Sequence, residues 1–144
     1  MTDSPVRVRR ISPSERERVR QMFGGRCAYC GCDLPPRWHV DHVEPVVRGL
    51  DVAGNPAPAH RPHNHRSDNF RPACPPCNIS KASMSLEQWR KWLAGHVNSL
   101  NAYHPIYRLA KAYGLIRETG DPIIFHFERF ANAPLCEPTD RRET

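Results

Sequence analysis

Two Cys-x-x-Cys pairs, Cys27-Ala28-Tyr29-Cys30 and Cys74-Pro75-Pro76-Cys77, constrain the fold of this chain more than any other feature. Within each pair the thiolates can approach one cation from adjacent directions, and two pairs complete the tetrahedral four-sulfur set that zinc favours. Forty-three residues lie between the pairs, so closing the site ties two distant segments together. A four-thiolate site keeps no open coordination position, so this zinc is expected to hold structure and do no chemistry. Cys32 offers a shifted register in place of Cys30, but Cys30 repeats the spacing of the second pair and is preferred. Cys136, in a Pro-containing tail, reads as a bystander.

The composition explains why a staple is needed. With 15 Pro and 39% hydrophobic residues in 144, the chain supports one loop-rich domain whose core is thin, and a structural metal supplies what that core lacks. No stretch approaches the roughly 20 apolar residues of a membrane span, and Met1-Thr2-Asp3-Ser4-Pro5 lacks the apolar centre of a secretory leader, which predicts a cytoplasmic protein with no membrane partner. In that reducing compartment paired cysteines point to metal and not to disulfides. The net charge of +6 favours a polyanionic partner.

Along the chain, residues 1–11 read as a flexible basic arm. Ser12-Pro13-Ser14-Glu15 reads as a helix start, with Ser12 as N-cap, Pro13 at the first position and Glu15 closing a capping box. That helix is predicted to run to about Phe23, with Val19, Met22 and Phe23 inward, and to end at Gly24-Gly25. Trp38 to Val43 reads as a strand in which Trp38, Val40 and His42 share one face and Asp41 points to the other. Residues 44–67 lack periodicity and read as a long loop. A helix is predicted over 78–84, another from Ser85 with Leu86, Trp89, Leu93 and Val97 inward, and a third over 104–113. Ile123, Phe125 and Phe127 alternate within 122–130, which reads as a strand, and 133–144 as a flexible tail.

In order, Cys27-x-x-Cys30-Gly31, Val40-Asp41-His42-Val43-x-Pro45, Asn69 and Pro72-Ala73-Cys74-x-x-Cys77-Asn78-x-x-Lys81 resemble the HNH endonuclease family. The likeness covers roughly residues 14–84, about half the chain, and rests on all the elements occurring together. It implies an α+β fold: a small ββα-metal finger with a four-Cys zinc knuckle pair, flanked by an N-terminal helix and a C-terminal helical and strand extension. The domain plan is then nuclease over 12–84 and extension over 85–132. The resemblance implies a metal-dependent DNA endonuclease that leaves a 5′-phosphate and a 3′-hydroxyl. In that scheme His42 is the general base, while Asp41 and Asn78 hold one catalytic divalent ion. Asn69 bonds the backbone of the loop after His42. The chemistry is consistent: a neutral His suits proton abstraction near pH 7, and two hard oxygen ligands suit Mg²⁺ or Mn²⁺. Asn78 stands where the family name calls for a last His, making this an HNN variant and shifting metal preference away from softer ions.

The span from His42 to Asn69 is longer than is usual in the family. The added length, around Asp51 to Arg66, carries His60, Arg61, His63, His65 and Arg66, and reads either as a DNA-contacting loop or as a solvated insertion. A second zinc site from its three His lacks any completing cluster. Lys81 is expected to meet a DNA phosphate; Arg71 is either a phosphate contact or a solvated cation, and His39 either binds the scissile phosphate or is structural. Trp92, Tyr103 and Tyr107 could stack on bases, whereas Trp89 falls on a core stripe. A free-standing module of this kind fits a phage or prophage nuclease or a homing-type enzyme, with DNA as substrate and a homodimer or a phage or host protein as possible partner. The competing reading is a zinc-stabilised nucleic-acid binding or adaptor module without catalysis.

Overall fold

The computed structural model describes residues 8–55 and 57–131. The chain is α+β, with a two-stranded sheet and several helices. The helix α1 (Pro13–Gln21) begins where Ser12 caps it, the Ser12 hydroxyl accepting the Glu15 N–H at 3.2 Å. Only half of the expected capping box forms. The Glu15 carboxylate turns away to Arg9, at 2.6 and 2.8 Å, and to the Ser67 hydroxyl at 2.9 Å. Val19 is buried, but Met22 is 44% exposed, because the helix stops at Gln21 and the turn through Gly24 and Gly25 carries Met22 outward.

The strands β1 (His39–His42) and β2 (Phe70–Ala73) pair antiparallel, with His39 opposite Ala73 and His42 opposite Phe70. Directly after β2 comes α2 (Pro75–Lys81), which starts three residues before the position expected because Cys74 is its N-cap and Pro75 occupies the first turn, where a missing N–H costs nothing. Strand, strand and helix therefore follow one another around the second cysteine pair.

The helix α3 (Leu86–Ala94) opens with a full capping box between Ser85 and Gln88. It ends at Gly95, and α4 (His96–Tyr103) and α5 (Pro105–Ala112) follow. Val97 thus belongs to α4 and is exposed, not to the inward stripe of α3. The strand expected over 122–130 is a helix instead, α6 (His126–Ala131). Phe125 precedes the helix and Phe127 lies in its first turn, so both reach the core although they are two apart. The Glu128 carboxylate accepts the Phe125 N–H at 2.9 Å, and the N–H groups of His126 and Phe127 donate to the carbonyls of Tyr29 and Ala28 at 2.9 and 2.8 Å.

This last contact places the C-terminal segment in the same core as the first knuckle. Trp89 stacks on Phe125 at 4.9 Å between ring centroids, and Tyr29 meets Trp89 edge-on at 5.1 Å. Such pairs add about 0.5–1.5 kcal/mol each beyond the area they bury. Val19, Cys27, Leu34, Trp38, Phe70, Ala73 and Cys74 complete the cluster, so residues on both sides of position 84 share one core. Arg90 fastens the arrangement by lying over the Phe125 ring and pairing with Glu128 and the Ile123 carbonyl. Among the described residues no helix is long and apolar enough to cross a membrane.

Candidate active site and metal centre

Cys27, Cys30, Cys74 and Cys77 bring their sulfurs within 4.8 Å of one another. Cys30 and Cys74 Sγ are 3.7 Å apart, close to the ~3.8 Å edge of a tetrahedron built on Zn–S bonds of about 2.3 Å. The Cys74 N–H donates to Cys27 Sγ at 3.4 Å. Hydrogen bonding from Cys77, then from the backbone around Cys74, Cys30 and Tyr29, pulls the Cys27 thiol down, and the same contact pushes Cys77 up. Four soft sulfur donors gathered at this spacing fit a structural metal such as zinc. Cys32 stays outside this set and contributes its carbonyl, which accepts the Cys27 N–H at 2.8 Å. Cys136 lies outside the described residues.

Next to the cluster, His39, Asp41, His42 and Asn78 border one cavity of about 490 Å³. The strand β1 supplies the first three, and α2 supplies Asn78 one residue after the last cysteine. Arg16 from α1 and Arg48 from the loop add positive charge to its wall. Val47 and Ala82, which line it too, are the two non-glycine residues with positive φ among those described, at 49° and 47°. A β-branched residue in that region is strained, and such strain gathers at functional sites.

Asp41 and His42 turn to different partners, as strand alternation requires. Asp41 is buried, and its Oδ2 accepts from the Tyr29 hydroxyl and lies 3.2 Å from Lys81 Nζ. Burial pushes the Asp41 carboxyl up from its ordinary value, against the opposing pull of Lys81 and Tyr29. His42 lies edge-on to Phe70 at 5.2 Å, and its Nε2 is 2.9 Å from Nδ1 of His65. Burial first, then the charges of His65, Arg48 and Lys81, lower the His42 imidazole to about 4, so it is neutral near pH 7.

Asn69 is buried behind the loop that follows β1. Its Oδ1 accepts the Glu44 N–H at 2.9 Å, and its Nδ2 donates to the carbonyls of Glu44 and Asn64, each at 2.8 Å. Both halves of the amide are thereby used on the backbone around His42.

Lys81, expected at a phosphate, and Arg71, left open between a phosphate contact and a solvated cation, both turn to internal partners. Lys81 is fully buried, and its ammonium donates to the His42 carbonyl at 2.8 Å besides pairing with Asp41, so it is not a surface cation. Arg71 folds back on the carbonyls of Asp68 and Phe70 at 3.1 and 2.8 Å and lies over the Phe127 ring. His39 is exposed at the cavity rim. Sequence reasoning passed over Arg16 and Arg48, read Tyr29 only as part of the knuckle, and weighed His65 only as a member of the added loop, not as a partner of His42. Tyr29 was hidden inside a metal motif, and His65 in a loop with no periodicity to say where it points. The His-rich insertion forms no second metal cluster among the described residues. Compared with known protein families, curated proteins and solved structures, the chain has no match.

Proposed function

We propose that this protein is a metal-dependent DNA endonuclease of the HNH type, in its HNN form. The observation that carries the reading is the convergence of Asp41, His42 and Asn78 on one cavity whose α2 wall begins at the cysteine cluster. A divalent ion held by Asp41 and Asn78 would supply Lewis acidity beside the scissile phosphate. The donor set fits: a carboxylate and an amide are hard ligands, and a cation offsets the burial that penalises the Asp41 charge. Lys81 and Tyr29 occupy Oδ2, which leaves Oδ1 of Asp41 for that purpose.

His42, neutral and fixed against Phe70, takes the proton of the attacking water. Asn69 fixes the loop behind it. Arg16 and Arg48 give the cavity the sign that receives a phosphodiester. One such site per chain cuts one strand in each encounter, so a monomer nicks. The binding-module alternative draws on the internal partners of Asp41, which account for part of its carboxylate without any ion.

The test is supercoiled plasmid incubated with Mg²⁺, Mn²⁺ or EDTA, beside a His42→Ala variant checked for zinc content and folding. Open circles that need metal, with activity reduced about 10²–10⁴-fold in the variant, are expected. Equal inertness of both proteins on duplex, single-stranded and branched DNA that they still bind supports the binding module instead.

A further inference from the structure

The added loop between His42 and Asn69 is anchored on both sides of His65. Before it, Asn64 is buried, its Nδ2 donating to the Pro45 carbonyl at 3.0 Å and its own carbonyl accepting from Asn69 at 2.8 Å. After it, Arg66 reaches Asn64 Oδ1 at 3.2 Å and pairs with Asp68 at 2.9 Å. The His65 ring also packs against Phe70, at 5.0 Å between centroids, so the two imidazoles share one aromatic floor. A solvated insertion has no need of these bonds.

Resting on the nuclease reading, we infer that His65 is a positioning residue for the base: its Nδ1 accepts the Nε2–H of His42 and leaves His42 Nδ1 as the basic nitrogen. Two imidazole nitrogens 2.9 Å apart must divide the roles of donor and acceptor. His65 Nε2 is buried and makes no hydrogen bond, so the contact with His42 is the ring's one hydrogen bond among the described residues. A base needs its lone pair on the nitrogen left for the cavity, so on the nuclease reading His42 donates through Nε2 and His65 Nδ1 accepts. The opposite arrangement would put the His42 proton on Nδ1, the nitrogen left for the cavity, and abolish its use as a base. When His42 Nδ1 takes a proton from water, the Nε2–H bond to His65 becomes charge-assisted and strengthens as the positive charge develops.

The zinc-loaded full chain is compared with His65→Ala, His65→Asn and His65→Gln for nicking rate at saturating and limiting plasmid. In parallel, nitrogen NMR of His42 reads which ring atom carries the proton, whether or not the protein cuts. In His65→Ala, kcat is expected to fall about tenfold to a hundredfold, a share of the roughly 10²–10⁴-fold a positioned base supplies, with KM changed less than about twofold. His65→Asn restores part of the loss, because its Oδ1 stands where Nδ1 stood, and His65→Gln does not. The NMR signal places the His42 proton on Nε2 in the wild type and on a mixture of both atoms in His65→Ala. Wild-type kcat in a folded His65→Ala, or a His42 proton on Nδ1 in the wild type, overturns the inference. An inert wild-type protein whose His42 proton lies on Nε2 refutes the nuclease reading and leaves the hydrogen bond standing.

Discussion

Replacing Lys81 by Met tests whether α2 is locked to the strand by a buried ion pair. The two side chains are 0% and 9% exposed and their charged atoms are 3.2 Å apart. At an effective dielectric constant near 20, that distance corresponds to an attraction of about 5 kcal/mol, most of it spent on desolvating both groups. Removing one partner leaves the other buried and unpaired, so Lys81→Met should cost about 3–5 kcal/mol, part of it from the His42 carbonyl that loses its donor. Asp41→Asn should cost a similar amount, because it strands a buried ammonium. The double variant, which carries neither charge, should fall short of the sum of the singles by about 2–3 kcal/mol. Urea unfolding followed by the fluorescence of buried Trp89, with zinc in constant excess, measures all four proteins. Additivity within about 0.5 kcal/mol would refute the pairing, and a near-neutral Lys81→Met would refute the burial itself.

Further predictions address the staple, the first knuckle and the N-terminal contact. Cys30→Ser should lose tightly bound zinc and cooperative unfolding while Cys32→Ser keeps both, since only Cys30 belongs to the four-sulfur cluster; native mass spectrometry and thermal melts decide it. Gly31 has φ +77°, and a Cβ there would meet His126 Nδ1 at 2.9 Å, so Gly31→Ala should cost about 2 kcal/mol and lower Tm by about 5–8 °C. Arg9, then Ser67, hold the Glu15 carboxyl down to about 2. A carboxyl depressed in the folded state stabilises it above the unfolded value, and that contribution is lost as pH falls through the range from about 4.5 to about 2. Glu15→Gln should therefore flatten the acid limb of the stability curve in that window, and an unchanged limb would remove Glu15 from the account.

Where the sequence was legible, the signal was local or carried by metal chemistry. Ser12 and Ser85 announce helix starts because a hydroxyl before a helix satisfies its first N–H groups, and both do so. The doubled Cys-x-x-Cys spacing leads directly to the sulfur cluster. Trp89 falls inward as its helical spacing requires. What failed was decided by tertiary contact. A cation four residues from a cysteine reads as a phosphate contact until a buried carboxylate from another element is placed beside it, which is the case of Lys81 and Asp41. Alternation of Ile123, Phe125 and Phe127 mimics a strand because a helix start falls between the two Phe and sends both inward. His65 meets His42 across 22 intervening residues, and nothing in the loop itself encodes that meeting.

The position of Asn78 follows from what holds the two ends of α2. A seven-residue helix is far below the length that is stable alone in water, so its place must be imposed from outside. At its start, Cys74 and Cys77 tie it to the first knuckle through the sulfur cluster; at its end, Lys81 ties it to Asp41 and the His42 carbonyl. Asn78 stands between these anchors and faces the cavity on which Asp41 also opens. Lys81 thus clamps the helix that presents Asn78 to the residue with which Asn78 would share an ion, and the same ammonium fixes the carbonyl of His42. Because the two anchors act at opposite ends, releasing either one frees Asn78 to swing about the other. The staple and the cavity are therefore one mechanical unit, and loss of the structural metal should disorganise the site even where Lys81 and Asp41 are intact.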